Sequence, residues 1–339
     1  MKIVFITEHG CGRAIKQASA LYDKGYEVAL IASKLMKGGG AFITKHKYDN
    51  AKELFDIVSL LGDKMIYHIH NEPSWMVSLV REALPNAKII YDVHDSNYWR
   101  AEGDYSWYEE DSAIQNCDAM IFPSQICEER YQTLGKPTKV VWSANLEAWK
   151  FYGPWDWYGG IVSQGGHIDP AKTHKGESWR DYTDLYKELE SKDKQVFAYS
   201  ADFKGGIDLK TQPPELDAYY IKLGAILGCF NHMDLIHNMG RHDWSLCGNI
   251  NGAKVWDYAL PNKFFDAMSG CVPVVNFNCP EVGKLIDEYD VGINVESVDE
   301  LVERWDEHKE KRASVYRNRN ELTMERQIHK VIELYNEIY

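Results

Sequence analysis

Leu260-Pro261-Asn262-Lys263-Phe264-Phe265-Asp266-Ala267-Met268-Ser269-Gly270-Cys271-Val272-Pro273-Val274-Val275-Asn276 is the stretch whose reading decides the fold. Pro261 suits the first turn of a helix, where its missing N–H has no intrahelical partner, and Gly270 suits the end, where a left-handed residue is wanted. At helical spacing Phe264, Phe265 and Met268 form a packing face, while Lys263 and Asp266 lie three apart on a face left for binding. Val272 to Val275 reads as a buried parallel strand entered through Pro273. Helix, tight turn and central strand make one unit of an open α/β sheet, where ligands gather at strand ends and helix N-termini.

The same alternation runs through the chain. Lys2–Glu8 reads as a strand, His9 to Arg13 as a Gly-containing turn, Ala14–Lys24 as a helix and Glu27–Ser33 as a strand, a βαβ opening. The turn falls short of a dinucleotide fingerprint, because Ile15 stands where a third glycine belongs and Ser33 where an acid would end the second strand. Lys37–Gly40 reads as a mobile loop. Strands at Met65–His70 and Lys88–Val93 carry His70 and His94-Asp95 to their carboxyl ends. Further elements close a doubly wound domain near residue 145. A second βα series begins at Gly160–Ser163 with Gln164-Gly165-Gly166-His167 behind it, and a helix from Ser178 places Arg180 in its first turn. Ala218–Gly228 and Val298–His308 read as helices, Asp287–Glu296 as a returning strand and Met324–Tyr339 as an amphipathic final helix.

A chain of 339 residues, 45% of them hydrophobic, has the length for two ordinary domains. The formal net charge of −13 argues against an extensive nucleic-acid surface or a broad footprint on anionic membrane. Seven cysteines, an odd number without a Cys-x-x-Cys pair, look like reduced thiols. No run approaches a membrane span, and the apolar start Ile3–Ile6 is too short for a signal peptide, so a cytoplasmic protein is expected. His68 and His70 share one face of a strand, but no third ligand with suitable spacing is evident, so no metal is expected. The 21 Tyr and 11 Trp stack on sugar rings in some proteins and fill cores in most.

The opening run resembles the donor-nucleotide motif of GT-B glycosyltransferases, particularly the retaining, family-four-like kind. That motif pairs Pro-x-Lys-x-x-Glu with Ala-x-Gly-x-Pro-Val-Val; here it appears as the variant Pro261-Asn262-Lys263-x-x-Asp266. The resemblance implies an α/β fold of two Rossmann-like doubly wound domains with an interdomain cleft and a C-terminal helix crossing back. Expected boundaries are 1–148 for an acceptor-side domain, 149–159 for a linker, 160–318 for a nucleotide-sugar-binding domain and 319–339 for the final helix on the first domain. It implies that Asp266 accepts hydrogen bonds from the nucleotide ribose, and that Gly12 and Arg13 approach a donor phosphate or the acceptor. His94 matches a histidine placed near the donor sugar and acceptor. Where relatives carry a second upstream Glu for the sugar, this chain has Tyr258, with Asp257 adjacent.

Sugar transfer needs the leaving diphosphate neutralised and the acceptor oxygen held at the anomeric carbon. The chain has no Asp-x-Asp pair for a metal-held diphosphate, so Arg180 and Lys263, each at a helix start, are the candidate cations. Asp95 is placed to orient the His94 ring. The resemblance implies retention by front-face attack; an inverting enzyme would need a base such as Glu8, Glu72 or Asp95. The expectation is a metal-independent glycosyltransferase with a UDP- or GDP-linked donor, no cofactor and an open acceptor class: saccharide, lipid-linked glycan or modified base. Rivals are a nucleotide-sugar epimerase of the same fold and a non-catalytic nucleotide-sugar-binding protein.

Overall fold

The computed structural model describes residues 2–9, 11–35, 40–70, 73–94, 96, 108–151, 157–165, 181–200 and 232–339. The chain divides into two units, Met1–Leu146 with Met324–Tyr339, and Glu147–Thr323. The expected loop at Lys37–Gly40 lies mostly, and the helix Ala218–Gly228 wholly, outside the described residues.

The first unit holds a seven-stranded parallel sheet in the order β3-β2-β1-β4-β5-β6-β7. Its strands are β1 (Lys2–His9), β2 (Glu27–Lys34), β3 (Phe42–Lys47), β4 (Ile66–His70), β5 (Lys88–Asp92), β6 (Ala119–Phe122) and β7 (Thr138–Val140). The chain leaves β1 toward β2 on one side and returns to β4 on the other, so the order reverses between β1 and β4. Such a reversal opens a crevice at the carboxyl ends of the two strands. β4 is buried at every position, as a strand covered on both faces should be. β3 has no counterpart in the sequence reading: only Phe42 of its six residues is buried, so this edge strand carries no apolar run. Helix α1 (Gly12–Asp23) follows β1. The last helix, Met324–Ile338, belongs to this unit, packed on α1 and β7 through a face that includes Val331, Leu334 and Tyr335.

The second unit holds a five-stranded parallel sheet in the order β12-β11-β10-β8-β9, with β8 (Ile161–Gly165), β9 (Val196–Ser200), β10 (Trp244–Gly248), β11 (Val274–Phe277) and β12 (Gly292–Asn294). Its reversal lies between β8 and β10. Phe151, within the segment expected to be a linker, is pinned into this unit: its N–H donates to Ser269 O at 2.8 Å and its carbonyl accepts from Arg319 Nη1 at 2.7 Å.

Several elements differ from the sequence reading in their bounds: the helix read from Ser178 begins at Thr183, beyond Arg180 in sequence, and the helix read over Val298–His308 ends at Glu303. The helix of the opening motif runs Asn262–Gly270 with Cys271, not Gly270, in the left-handed conformation (φ 57°). Gly270 is wanted for space instead, since a Cβ there would stand 2.9 Å from the Ile236 carbonyl of the neighbouring helix His232–Met239. The strand expected over Asp287–Glu296 shrinks to Gly292–Asn294: Asp287, Glu288 and Tyr289 instead end the helix Pro280–Tyr289, which has Pro280 in its first turn and Val282, Leu285 and Ile286 buried. No helix among the described residues is long and apolar enough to cross a membrane.

Candidate functional site

Each unit gathers polar side chains where its strand order reverses. In the first unit the hub is Asp92, the last residue of β5, which is fully buried. Arg13, in the first turn of α1, directs Nε at both Asp92 oxygens (3.0 and 2.9 Å), and its other nitrogens donate to Ser143 Oγ and Val141 O at 2.9 Å. Gln17, one turn on, donates from Nε2 to Asp92 Oδ2 at 2.9 Å. Three histidines complete the cluster. His68 Nε2 stands 3.4 Å and His70 Nδ1 3.7 Å from Asp92 Oδ2, while His94 Nδ1 stands 3.4 Å from Oδ1. The His68 and His70 rings stack 4.7 Å apart, as alternate positions of one strand face dictate, and Tyr335 of the final helix meets His68 Nδ1 at 2.7 Å.

These contacts set opposite protonation states on neighbouring groups. Burial alone would raise the Asp92 carboxyl, but the Arg13 guanidinium and the contacts with His68 and His94 hold it well below the usual carboxylate range. Burial pushes His68 down against the pull of Asp92, and pushes His70 well down with His68 adding to it. His94 goes the other way. Burial opposes its charge, yet hydrogen bonds with Asp92 and with Cys11 raise it to about 10. A neutral pair of imidazoles thus lies beside an anion, with a charged imidazole on the far oxygen.

His68, His70 and Asp92 lie close enough together to surround a cation. The position is chemically taken, because Asp92 Oδ2 already accepts from Arg13 and Gln17 and the guanidinium already balances its charge. A metal there would compete with Arg13, itself 4% exposed, for Asp92, the third group that the sequence reading did not find, while His68 Nε2 and both His70 ring nitrogens are buried and make no hydrogen bond among the described residues.

In the second unit the hub is Asp266, on the second turn of the motif helix and only 4% exposed. Its Oδ2 accepts from Gln164 Nε2 at 2.8 Å, at the carboxyl end of β8, and its Oδ1 meets His232 Nε2 at 2.9 Å. The His232 side chain is 40% exposed and rests edge-on against Trp149, centroids 4.9 Å apart. The carboxylate therefore sits at the β8/β10 reversal with one oxygen held by a buried amide and the other by a solvent-accessible ring. Gly165, which ends β8, has φ +123° and open space around its Cβ position. Asn262 is exposed at the first turn of the motif helix.

Several sequence-nominated residues have settings other than the expected ones. Arg13 is bonded to Asp92, Ser143 and Val141 inside the first unit and is 4% exposed; the buried carboxylate draws it inward. Lys263 donates to Tyr182 Oη at 2.9 Å and lies 4.9 Å over that ring and 5.6 Å from Trp256, a cationic head in an aromatic cage. Tyr258 is 9% exposed and closes a short 3-10 turn at Lys254–Asp257. Gly12 opens α1 with nothing within 4 Å of its Cβ position. Asp95, Gly166 and Arg180 lie outside the described residues. The structure adds Asp92, Gln164 and His232. Asp92 had a sequence signal, sharing parity with His94 along one extended run, whereas nothing in the sequence pairs His232 with Asp266.

No family model matches the chain, and no curated protein matches its sequence. Solved structures do match along its whole length. The chain is similar to WaaG, a glycosyltransferase involved in lipopolysaccharide biosynthesis, at a TM-score of 0.63 and 12% identity, covering 98% of this chain and 99% of that one. It is also similar to a putative UDP-N-acetylglucosamine 2-epimerase from Listeria monocytogenes (TM-score 0.61, 11% identity, covering 99% and 96%). A third likeness is to an alpha-glucosyltransferase solved with UDP-glucose and DNA containing an abasic site (TM-score 0.58, 12% identity, covering 99% of both chains). At these identities the likeness is one of fold: two Rossmann-like parallel-sheet domains of the GT-B kind.

Proposed function

We propose that the protein is a glycosyltransferase that takes a sugar from a UDP- or GDP-linked donor without a metal ion, with retention at the anomeric carbon. The observation that carries this reading is the Asp266 carboxylate at the carboxyl end of β8, where the sheet order reverses. Gln164 fixes one oxygen; a ribose hydroxyl takes the other by displacing the accessible His232 ring. Arg180 and Lys263 are the cations assigned to the diphosphate, Lys263 by exchanging its bond to Tyr182. His94 serves the donor sugar and acceptor, and the likenesses to WaaG and to the glucosyltransferase support the class.

Two fold neighbours' names favour a second reading, a nucleotide-sugar 2-epimerase. Product analysis separates the two. The protein is incubated with UDP- and GDP-sugars, with and without saccharide or lipid-linked acceptors, in EDTA. Glycosylated acceptor formed in the presence of chelator is the expected result; epimerised donor formed without acceptor would replace this reading with the second, and transfer abolished by chelator would overturn the metal-free mechanism.

A further inference from the structure

The sequence pairs His94 with its neighbour Asp95. We propose instead that Asp92 is the positioning residue for His94, its Oδ1 fixing which ring nitrogen turns inward, with Arg13 and Gln17 locking the carboxylate in place. This rests on the reading above only in assigning His94 to the transfer reaction; the geometry stands apart from it.

Three observations support the assignment. Asp92 Oδ2 accepts from Gln17 at 2.9 Å, and Arg13 Nε bridges both oxygens, so the carboxylate cannot turn about its own axis without breaking these bonds. Its Oδ1, which also accepts from Arg13 Nε, faces His94 Nδ1 at 3.4 Å, an ion-pair distance rather than a full hydrogen bond. Among the described residues, groups from three elements face His94: Asp92 from β5, Cys11 from the cap of α1, and His70 from β4, its ring centroid 5.8 Å away. Asp92 is the anion among them. A carboxylate facing Nδ1 favours a proton there, the arrangement by which an acid orients a working histidine. The charged state of His94 follows from the contacts with Asp92 and Cys11 together.

The test uses full-length protein carrying labelled histidine, with His94 assigned by loss of its resonance in H94Q. Asp92→Asn is the direct variant. Because it strands the Arg13 charge in the interior, Arg13→Gln/Asp92→Asn is made alongside, removing both members of the buried pair. Asp95→Asn tests the rival partner. The expected result is a His94 titration midpoint lowered by more than about one pH unit in both Asp92 variants and unmoved in Asp95→Asn. Turnover should fall roughly tenfold or more in the Asp92 variants, while UDP affinity by calorimetry stays within about twofold, a factor worth under half a kcal/mol. An unmoved His94 midpoint in the double variant, or one moved by Asp95→Asn instead, overturns the proposal. Failure of the wild-type protein to bind either UDP or GDP would overturn the transferase reading and leave the resonance test intact.

Discussion

Arg13→Met separates two accounts of a residue that the sequence places near a phosphate and the structure places against Asp92. Removing the guanidinium leaves the fully buried carboxylate its 2.9 Å bond from Gln17 and strips donors from Ser143 Oγ and Val141 O. Breaking one side of a buried ion pair costs about 3–5 kcal/mol. At about 2–4 °C per kcal/mol for a unit of this size, the melting temperature should fall by roughly 6–20 °C. The loss has a definite pH dependence. In the native protein the carboxyl is held down, so its contribution is present above the ordinary carboxylate range, near pH 4, and is lost as pH falls through the depressed value. Without Arg13, burial dominates and raises the carboxyl, so protonation on acidification favours the variant's fold and the gap between the two proteins narrows from pH 7 toward 5. Calorimetric melts at several pH values, with UDP titrations beside them, make the measurement. A melting temperature within about 2 °C of wild type, or a large loss of UDP affinity with the melt unchanged, would refute the structural assignment of Arg13.

Gly248→Ala should abolish soluble expression, or lower stability by more than about 4 kcal/mol, because its Cβ would lie 1.7 Å from Phe277 O at a φ of +73°. Gly252→Ala, with a similar φ of +65° but open space, should lose only about 1–2 kcal/mol; equal losses in urea melts would show that sterics at β11 are not the cause. His242 is buried and bonded to Tyr199 Oη and Gly159 O, each at 2.8 Å, and burial lowers it to about 4. The unfolded chain therefore takes up its proton first, so stability should fall as pH drops from about 6.5 to about 4, and His242→Asn should flatten that part of the curve.

Much of the architecture was legible because central parallel strands are unbroken apolar runs and their helices carry apolar stripes. Ile3–Ile6, Ile89–Tyr91 and Val272–Val275 declare themselves in this way. What escaped notice was structure at the edges. β3 buries one side chain and leaves no periodic mark, and β12, read as part of a longer strand over Asp287–Glu296, is three residues long. The helix Pro280–Tyr289 carried its own proline signal and a buried stripe, which the apolar run after it obscured. The site was legible as residue types at strand ends. Pairing was not, because partners from different elements meet only in the fold: Arg13 with Asp92 across 79 positions and Gln164 with Asp266 across 102. Formal charge was also misleading, since Arg13 and Lys263 look like free cations in sequence and are occupied by a carboxylate and by two aromatic rings.

The central claim is that the second unit holds the ribose of a nucleotide on Asp266. Titration calorimetry of UDP and GDP into the wild-type protein and Asp266→Ala, with circular dichroism to confirm that the variant is folded, measures it directly. One of the two nucleotides should bind the wild type, and the variant should lose charge-assisted hydrogen bonding worth about 1.5–3 kcal/mol, a roughly ten- to hundredfold weaker affinity. Equal affinity in the two proteins, or no binding of either nucleotide by the wild type, would contradict the account.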